Sequence, residues 1–159
     1  MEMATEKDKI VADITCSCGV DANISKLKEL AVHICQRFSA GRVTVSIAIV
    51  DDEAIRQVNS DYLNRQEQTD VISFDLSDET EKSKSFEIII NAERAMREAA
   101  QRGHSAEAEL ALYLTHGLLH NLRFDDADPA GTQQMHDMED EILQQAGFGV
   151  VYKSRKKID

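Results

Sequence analysis

Hydrophobic positions along the chain switch between a two-residue period and a period of three to four, and the switches mark out nine elements. Ile10–Cys16 alternates and is rich in β-branched side chains, which predicts a first strand. Ile24, Leu27, Leu30, Ala31, Ile34 and Phe38 fall on one helical stripe and predict a helix over Asn23–Phe38, ended by Ala40-Gly41. Val43–Val50 predicts a strand with one fully apolar face. Ile55, Val58 and Tyr62 predict a second helix over Asp52–Asn64, followed by a polar loop over Arg65–Gln68. Val71–Phe74 and Phe86–Ile90 predict two further strands around a charged loop, Ser77–Ser85. Asn91 suits the N-cap of a helix over Ala92–Arg102 that Gly103 ends. Ser105 suits the N-cap of a strongly apolar helix over Ala106–Leu122, and a last helix spans about Thr132–Ala146 and stops at Gly147. The order β-α-β-α-β-β-α-α-α predicts an α+β fold: a single four-stranded mixed sheet with helices packed on it, its consecutive strands forming an antiparallel pair.

The length of 159 residues suits one domain over 1–159 with a full hydrophobic core, and about 150–159 reads as a basic tail carrying Lys153, Arg155, Lys156 and Lys157. No apolar run approaches the roughly 18 residues a membrane-spanning helix needs. The charged start, Met1–Ile10, offers no apolar signal core, so a cytoplasmic protein without a membrane partner is expected. The balance of 29 Asp+Glu against 18 Lys+Arg, net −11, argues against broad non-specific coating of nucleic acid and leaves room for a local basic groove. Cys16, Cys18 and Cys35 form no disulfide framework. Cys16-x-Cys18 lacks the second ligand pair of a structural zinc site, so the three are read as reduced, mostly buried thiols.

The sharpest chemical feature is His116-Gly-Leu-Leu-His120 inside the apolar helix. Side chains four apart lie one turn apart on the same helix face, so both imidazoles can reach one divalent ion. The competing reading is that each ring bonds a core carbonyl, but a metal satisfies both at once. Asp125 and Asp126 follow the helix, and Asp126 is the candidate third ligand; a solvated acidic turn before Pro129 is the plainer account of the same residues. A carboxylate ligand admits manganese or another divalent ion as well as zinc. His136 is a further candidate, set among charges and read as a surface residue; His33 and His104 lack such surroundings. Gly117 stands where a His-Glu-x-x-His zinc protease carries its general base, which weakens a peptidase reading.

At these residues the chain resembles the YbeY family of bacterial rRNA-maturation endoribonucleases. The family pattern His-Gly-x-Leu-His-Leu-x-Gly-Tyr-Asp-His is met by His116-Gly-Leu-Leu-His-Asn-Leu-Arg-Phe-Asp-Asp126, and Met135, Glu139, Glu141-Ile-Leu143 and Gly147-Phe148 follow in register. Thr69-Asp-Val-Ile-Ser-Phe74 and Val50–Asn59 match two more family segments, so the resemblance spans roughly Ile10 to Phe148. It implies one α/β domain with a zincin-like metal-binding helix, one Zn2+ held by His116, His120 and Asp126, and cleavage of single-stranded RNA. The role implied is maturation of the 16S rRNA 3′ end and ribosome quality control, with rRNA and the small ribosomal subunit as partners and no DNA.

The departures shape the expectation. Asp126 replaces the family's third His, which keeps a ligating side chain but adds negative charge and lowers the Lewis acidity of the ion. Arg123 replaces a turn glycine, at about 1 kcal/mol if the turn is left-handed. Leu63 replaces the family's basic residue, leaving Arg65, two positions on, as the candidate phosphate contact. Gln68 replaces a Pro, and Phe86-Glu87 a Gly-Asp. Weakened activity is therefore expected. Two other readings stay open: a metallohydrolase on peptides or small molecules, and a metal-free ribosome-associated module without catalysis.

Overall fold

The computed structural model describes residues 9–38, 41–65, 69–78, 80, 82–124, 128–149 and 151. Its elements follow the order read from the pattern: β1 (Ile10–Cys16), α1 (Ile24–Phe38), β2 (Val43–Val50), α2 (Asp52–Leu63), β3 (Val71–Asp75), β4 (Lys84–Asn91), α3 (Ala92–Arg102), α4 (Ala106–Asn121) and α5 (Pro129–Gln145). The sheet order is β1-β2-β4-β3. β1, β2 and β4 run parallel, and β3 closes the sheet antiparallel to β4, with Val71 opposite Ile90. The expected mixed sheet with one antiparallel pair is thus the observed one.

Two boundaries differ from the pattern by more than one residue. β4 begins two residues early, because Lys84 pairs with Val43 and donates its N–H to the Arg42 carbonyl at 2.8 Å. Main-chain pairing recruits these polar residues, and an apolar period cannot mark it. α5 begins at Pro129, three residues before Thr132, because Asp128 caps it: Asp128 Oδ1 accepts the Gly131 N–H at 2.6 Å, and Pro129 takes a first-turn position where no N–H is needed. Val151 is buried in the core, one residue into the stretch read as tail; residues 152–159 lie outside the described ones.

The main core lies between the sheet and the helices α1, α4 and α5, and a smaller one, Ile55, Ile72 and Ile89, lies under α2. α4 is buried on nearly every side, as its unbroken apolar run requires. It approaches the sheet closely at Gly117: a Cβ there would sit 3.1 Å from Val71 Cγ2 and 3.3 Å from Ile88 Cγ2. Further along, Asn121 Nδ2 donates to the Phe74 carbonyl at 3.5 Å, so α4 follows β3 in the same direction.

α4 ends in a Schellman motif. Phe124 N–H bonds the Leu119 carbonyl, Arg123 N–H bonds the His120 carbonyl, and Arg123 takes a left-handed φ of 77°. Phe124 then meets Phe38 edge-on at 5.1 Å, which anchors the turn to α1. The cost anticipated for an arginine at a glycine position is therefore present. The Arg123–Asp75 contact at 3.6 Å offsets little of it, because the Arg123 side chain is 81% exposed. Arg123→Gly should stabilise the protein by about 0.5–1 kcal/mol, read as a higher urea midpoint at unchanged slope; a lower midpoint would refute the strain argument.

Asp52 joins the starts of α2 and α3. Its carboxylate accepts from both Arg97 terminal nitrogens, at 2.7 and 3.1 Å, and from Asn91 Nδ2 at 2.8 Å. The Arg97 fork, aided by Asn91, holds the Asp52 carboxyl below its ordinary range despite partial burial. A carboxyl depressed in the folded state stabilises that state above its unfolded pKa, and the contribution fades as pH falls below about 4. Asp52→Asn should cost about 1 kcal/mol at pH 7, since Arg97 is half-exposed, and the gap to wild type should close in acid. A gap independent of pH between 7 and 3 would show that the ion pair contributes nothing.

Candidate metal centre

With Gly117 turned into the sheet, His116 and His120 are set on the flank of α4, 26% exposed in the case of His116. Their Nε2 atoms lie 3.1 Å apart, with ring centroids at 4.6 Å and planes inclined at 78°. Behind His116 stands Glu139 of α5, a carboxylate that is 1% exposed. Its Oε2 is 3.0 Å from His116 Nδ1, and its Oε1 is 2.7 Å from His136 Nδ1.

This arrangement dictates proton positions. An ionised Glu139 is only an acceptor, so the facing Nδ1 of His116 carries the proton and Nε2 presents a lone pair. Two Nε2 lone pairs at 3.1 Å repel, so a proton or a cation belongs between them. Tetrahedral zinc, with bonds of about 2.0–2.1 Å, sets two nitrogen ligands about 3.3 Å apart, close to what the rings already adopt. A carboxylate behind a ligating imidazole is the usual outer support of such sites, fixing ring orientation and raising basicity. The pair therefore fits a divalent ion. Among the described residues no set of three or more His, Cys, Asp or Glu side chains is grouped to hold one. Asp125 and Asp126 lie outside the described residues.

His136 departs from its reading as a surface residue: its side chain is 18% exposed, held against Glu139 on the buried side of α5. The register match alone assigns Glu139 no role. The signal lay in the α5 stripe Met135, Glu139, Ile142 and Leu143, all buried, where an acid at a core position demands a partner. His104 likewise has one, the buried Glu109, at 2.6 Å. The cysteines are reduced, but only Cys35 is buried. Burial pushes its thiol up to about 12, and burial with the neighbouring Cys16 raises Cys18 to about 11, while Cys16 is exposed at the end of β1.

Arg65 lies just past α2, where Asn64 takes the left-handed φ of 52° that ends the helix. It lines a groove of about 420 Å³ whose wall includes Val71, the side chain that Gly117 allows against α4.

The profile of the Endoribonuclease YbeY family matches residues 13–147. The chain belongs to the YbeY family. Relatives described as Endoribonuclease YbeY include those of Carboxydothermus hydrogenoformans, 32% identical over 87% of this chain and 96% of that one, and of Bacillus velezensis, 32% identical over 87% and 94%. That of Symbiobacterium thermophilum is 35% identical over 80% of this chain and 85% of its own. A Thermotoga maritima protein solved in solution shares the fold, with a TM-score of 0.55 and 21% identity over 95% of this chain and 96% of its own. In this member of the YbeY family, the helix bearing the two histidines is held to the sheet at Gly117 and to α5 through Glu139.

Glu139→Gln removes the charge that orders the His116 ring while keeping the volume. It should weaken divalent-metal affinity about 10–100-fold in competition with a chromophoric chelator, with an unchanged far-ultraviolet circular dichroism spectrum. Unaltered affinity would remove Glu139 from the centre.

Proposed function

We propose that this protein is a metal-dependent endoribonuclease that cuts single-stranded RNA during rRNA maturation, at the 3′ end of 16S rRNA, and serves ribosome quality control. The chain works as one domain with a zincin-like metal-binding helix, in the cytoplasm, with the small ribosomal subunit as partner. His116, His120 and Asp126 hold Zn2+ or another divalent ion, and Arg65 contacts a phosphate. The observation that carries the reading is the 3.1 Å approach of the two Nε2 atoms with Glu139 behind His116, in a chain of the YbeY family.

A divalent ion bound there supplies Lewis acidity toward a phosphoryl oxygen. The protein's own groups do the rest. Glu139 keeps the His116 proton on Nδ1, so Nε2 stays available as a donor of electrons. The Arg65 guanidinium offsets the charge that grows on the phosphate as the P–O bond breaks. The groove beside Val71 brings that phosphate alongside α4. The departure at Asp126 adds a negative charge to the ligand set, which lowers the Lewis acidity and slows the reaction.

The peptidase alternative asks for a glutamate at position 117. That side chain would be driven against Val71 and Ile88, away from the histidines. No observation favours it over the nuclease.

The purified protein should contain about one zinc per chain, and a chelator or His116→Ala should abolish cleavage of a single-stranded RNA. Asp126→Ala should weaken metal binding strongly. Cleavage that survives both chelator and His116→Ala would refute the assignment, and metal-free protein with an unchanged melting temperature after chelation would favour the non-catalytic module.

A further inference from the structure

β3 is an edge strand, and its outer rim faces the groove that Arg65 lines. A second guanidinium lines the same groove: that of Arg94, half-buried in the first turn of α3. Thr69 and Ser73 add hydroxyl groups to the lining. No carboxylate lines this groove among the described residues, although the whole chain carries a net charge of −11. Among those residues, neither the Arg65 nor the Arg94 side chain has a hydrogen bond or an ion pair. Arg97 and Arg37, by contrast, are paired, with Asp52 and Glu141.

The strand adds a main-chain donor. Asp70 O accepts from Asn91 N and Leu76 N donates to Ser85 O, so the even-numbered residues turn their main chain toward β4. Ser73, opposite Ile88, lies in the alternate phase and turns its N–H outward, to the rim. Two guanidiniums, the Ser73 hydroxyl and one outward N–H form a set of donors with no acidic acceptor of their own, while the Thr69 hydroxyl donates to Asp70 at 3.3 Å. That is the chemistry of a phosphodiester site.

We propose that Arg94 and Arg65 form a phosphate-binding subsite for the RNA backbone, running along the rim of β3 toward the two histidines. The proposal rests on the nuclease reading for its ligand. Val71 is the physical link: it lines the subsite and lies against the Cα of Gly117, the residue next to His116. A backbone gripped here is delivered to the flank of α4: Arg65 meets the reacting phosphate, and Arg94 binds a neighbouring one and takes no part in the chemistry.

The test uses the metal-loaded full chain and a fluorescent single-stranded RNA oligonucleotide, with binding read by anisotropy and cleavage by gel. Arg94→Ala should raise Kd roughly tenfold to hundredfold and reduce the slope of log K against log salt by about 0.7, the loss of one single-strand phosphate contact. KM should rise with kcat little changed, Arg94→Lys should restore part of the affinity, and Lys28→Ala, which removes one charge from α1, should bind as wild type. Wild-type Kd and salt slope in Arg94→Ala would overturn the subsite, even if wild type cleaves RNA and the nuclease reading stands. Arg94-dependent binding without cleavage would keep the subsite and remove the nuclease. Wild type that ignores RNA but binds an acidic peptide through Arg94 would overturn both.

Discussion

Everything at the candidate centre depends on how closely α4 lies against the sheet. A residue without a side chain at position 117 lets the helix backbone rest on Val71 and Ile88, and this contact fixes the rotation of α4 about its axis. Close-packed interiors allow few alternatives once one such contact is set. The histidines one residue before and three residues after then point to the flank. Asn121 reaches the Phe74 carbonyl, and Arg123 comes beside Asp75. A methyl group at position 117 would press on all of these at once.

A second constraint acts from outside the sheet. Glu139 is a carboxylate in the core, and a buried charge without a partner is costly. It is held by imidazoles from two helices, His116 of α4 and His136 of α5. The contact that orders a candidate ligand therefore also joins α5 to α4, so fold and chemistry draw on one interaction. The aromatic contact of Phe124 with Phe38 fastens the other end of the same turn.

Most of the fold was legible because apolar spacing carries the period of each element, as in Val43–Val50 or the α1 stripe. What escaped was carried by main-chain bonds and by single caps. Lys84 and Ser85 join β4 through main-chain pairing with β2, and Ser85 also accepts the Leu76 N–H. Asp128-Pro129 is a helix start that reads as an acidic turn unless the proline is placed at the first helical position. At the centre, the spacing of His116 and His120 was enough to bring the rings together. His136 and Glu139 were harder, because their meaning lies in which face of α5 is inward. Arg94 carried no local signal, since only the fold brings α3 to the groove beside β3.

The free rim of β3 has a price in colloidal behaviour. An unpaired strand edge is a template on which another copy of the chain can add, and continued addition makes polymers. The strand is five residues long, and acids at 70 and 75 bracket its rim. With a net charge of −11, two approaching molecules repel before their edges can meet. The acidity of the chain thus guards this exposed ladder against a second copy of itself.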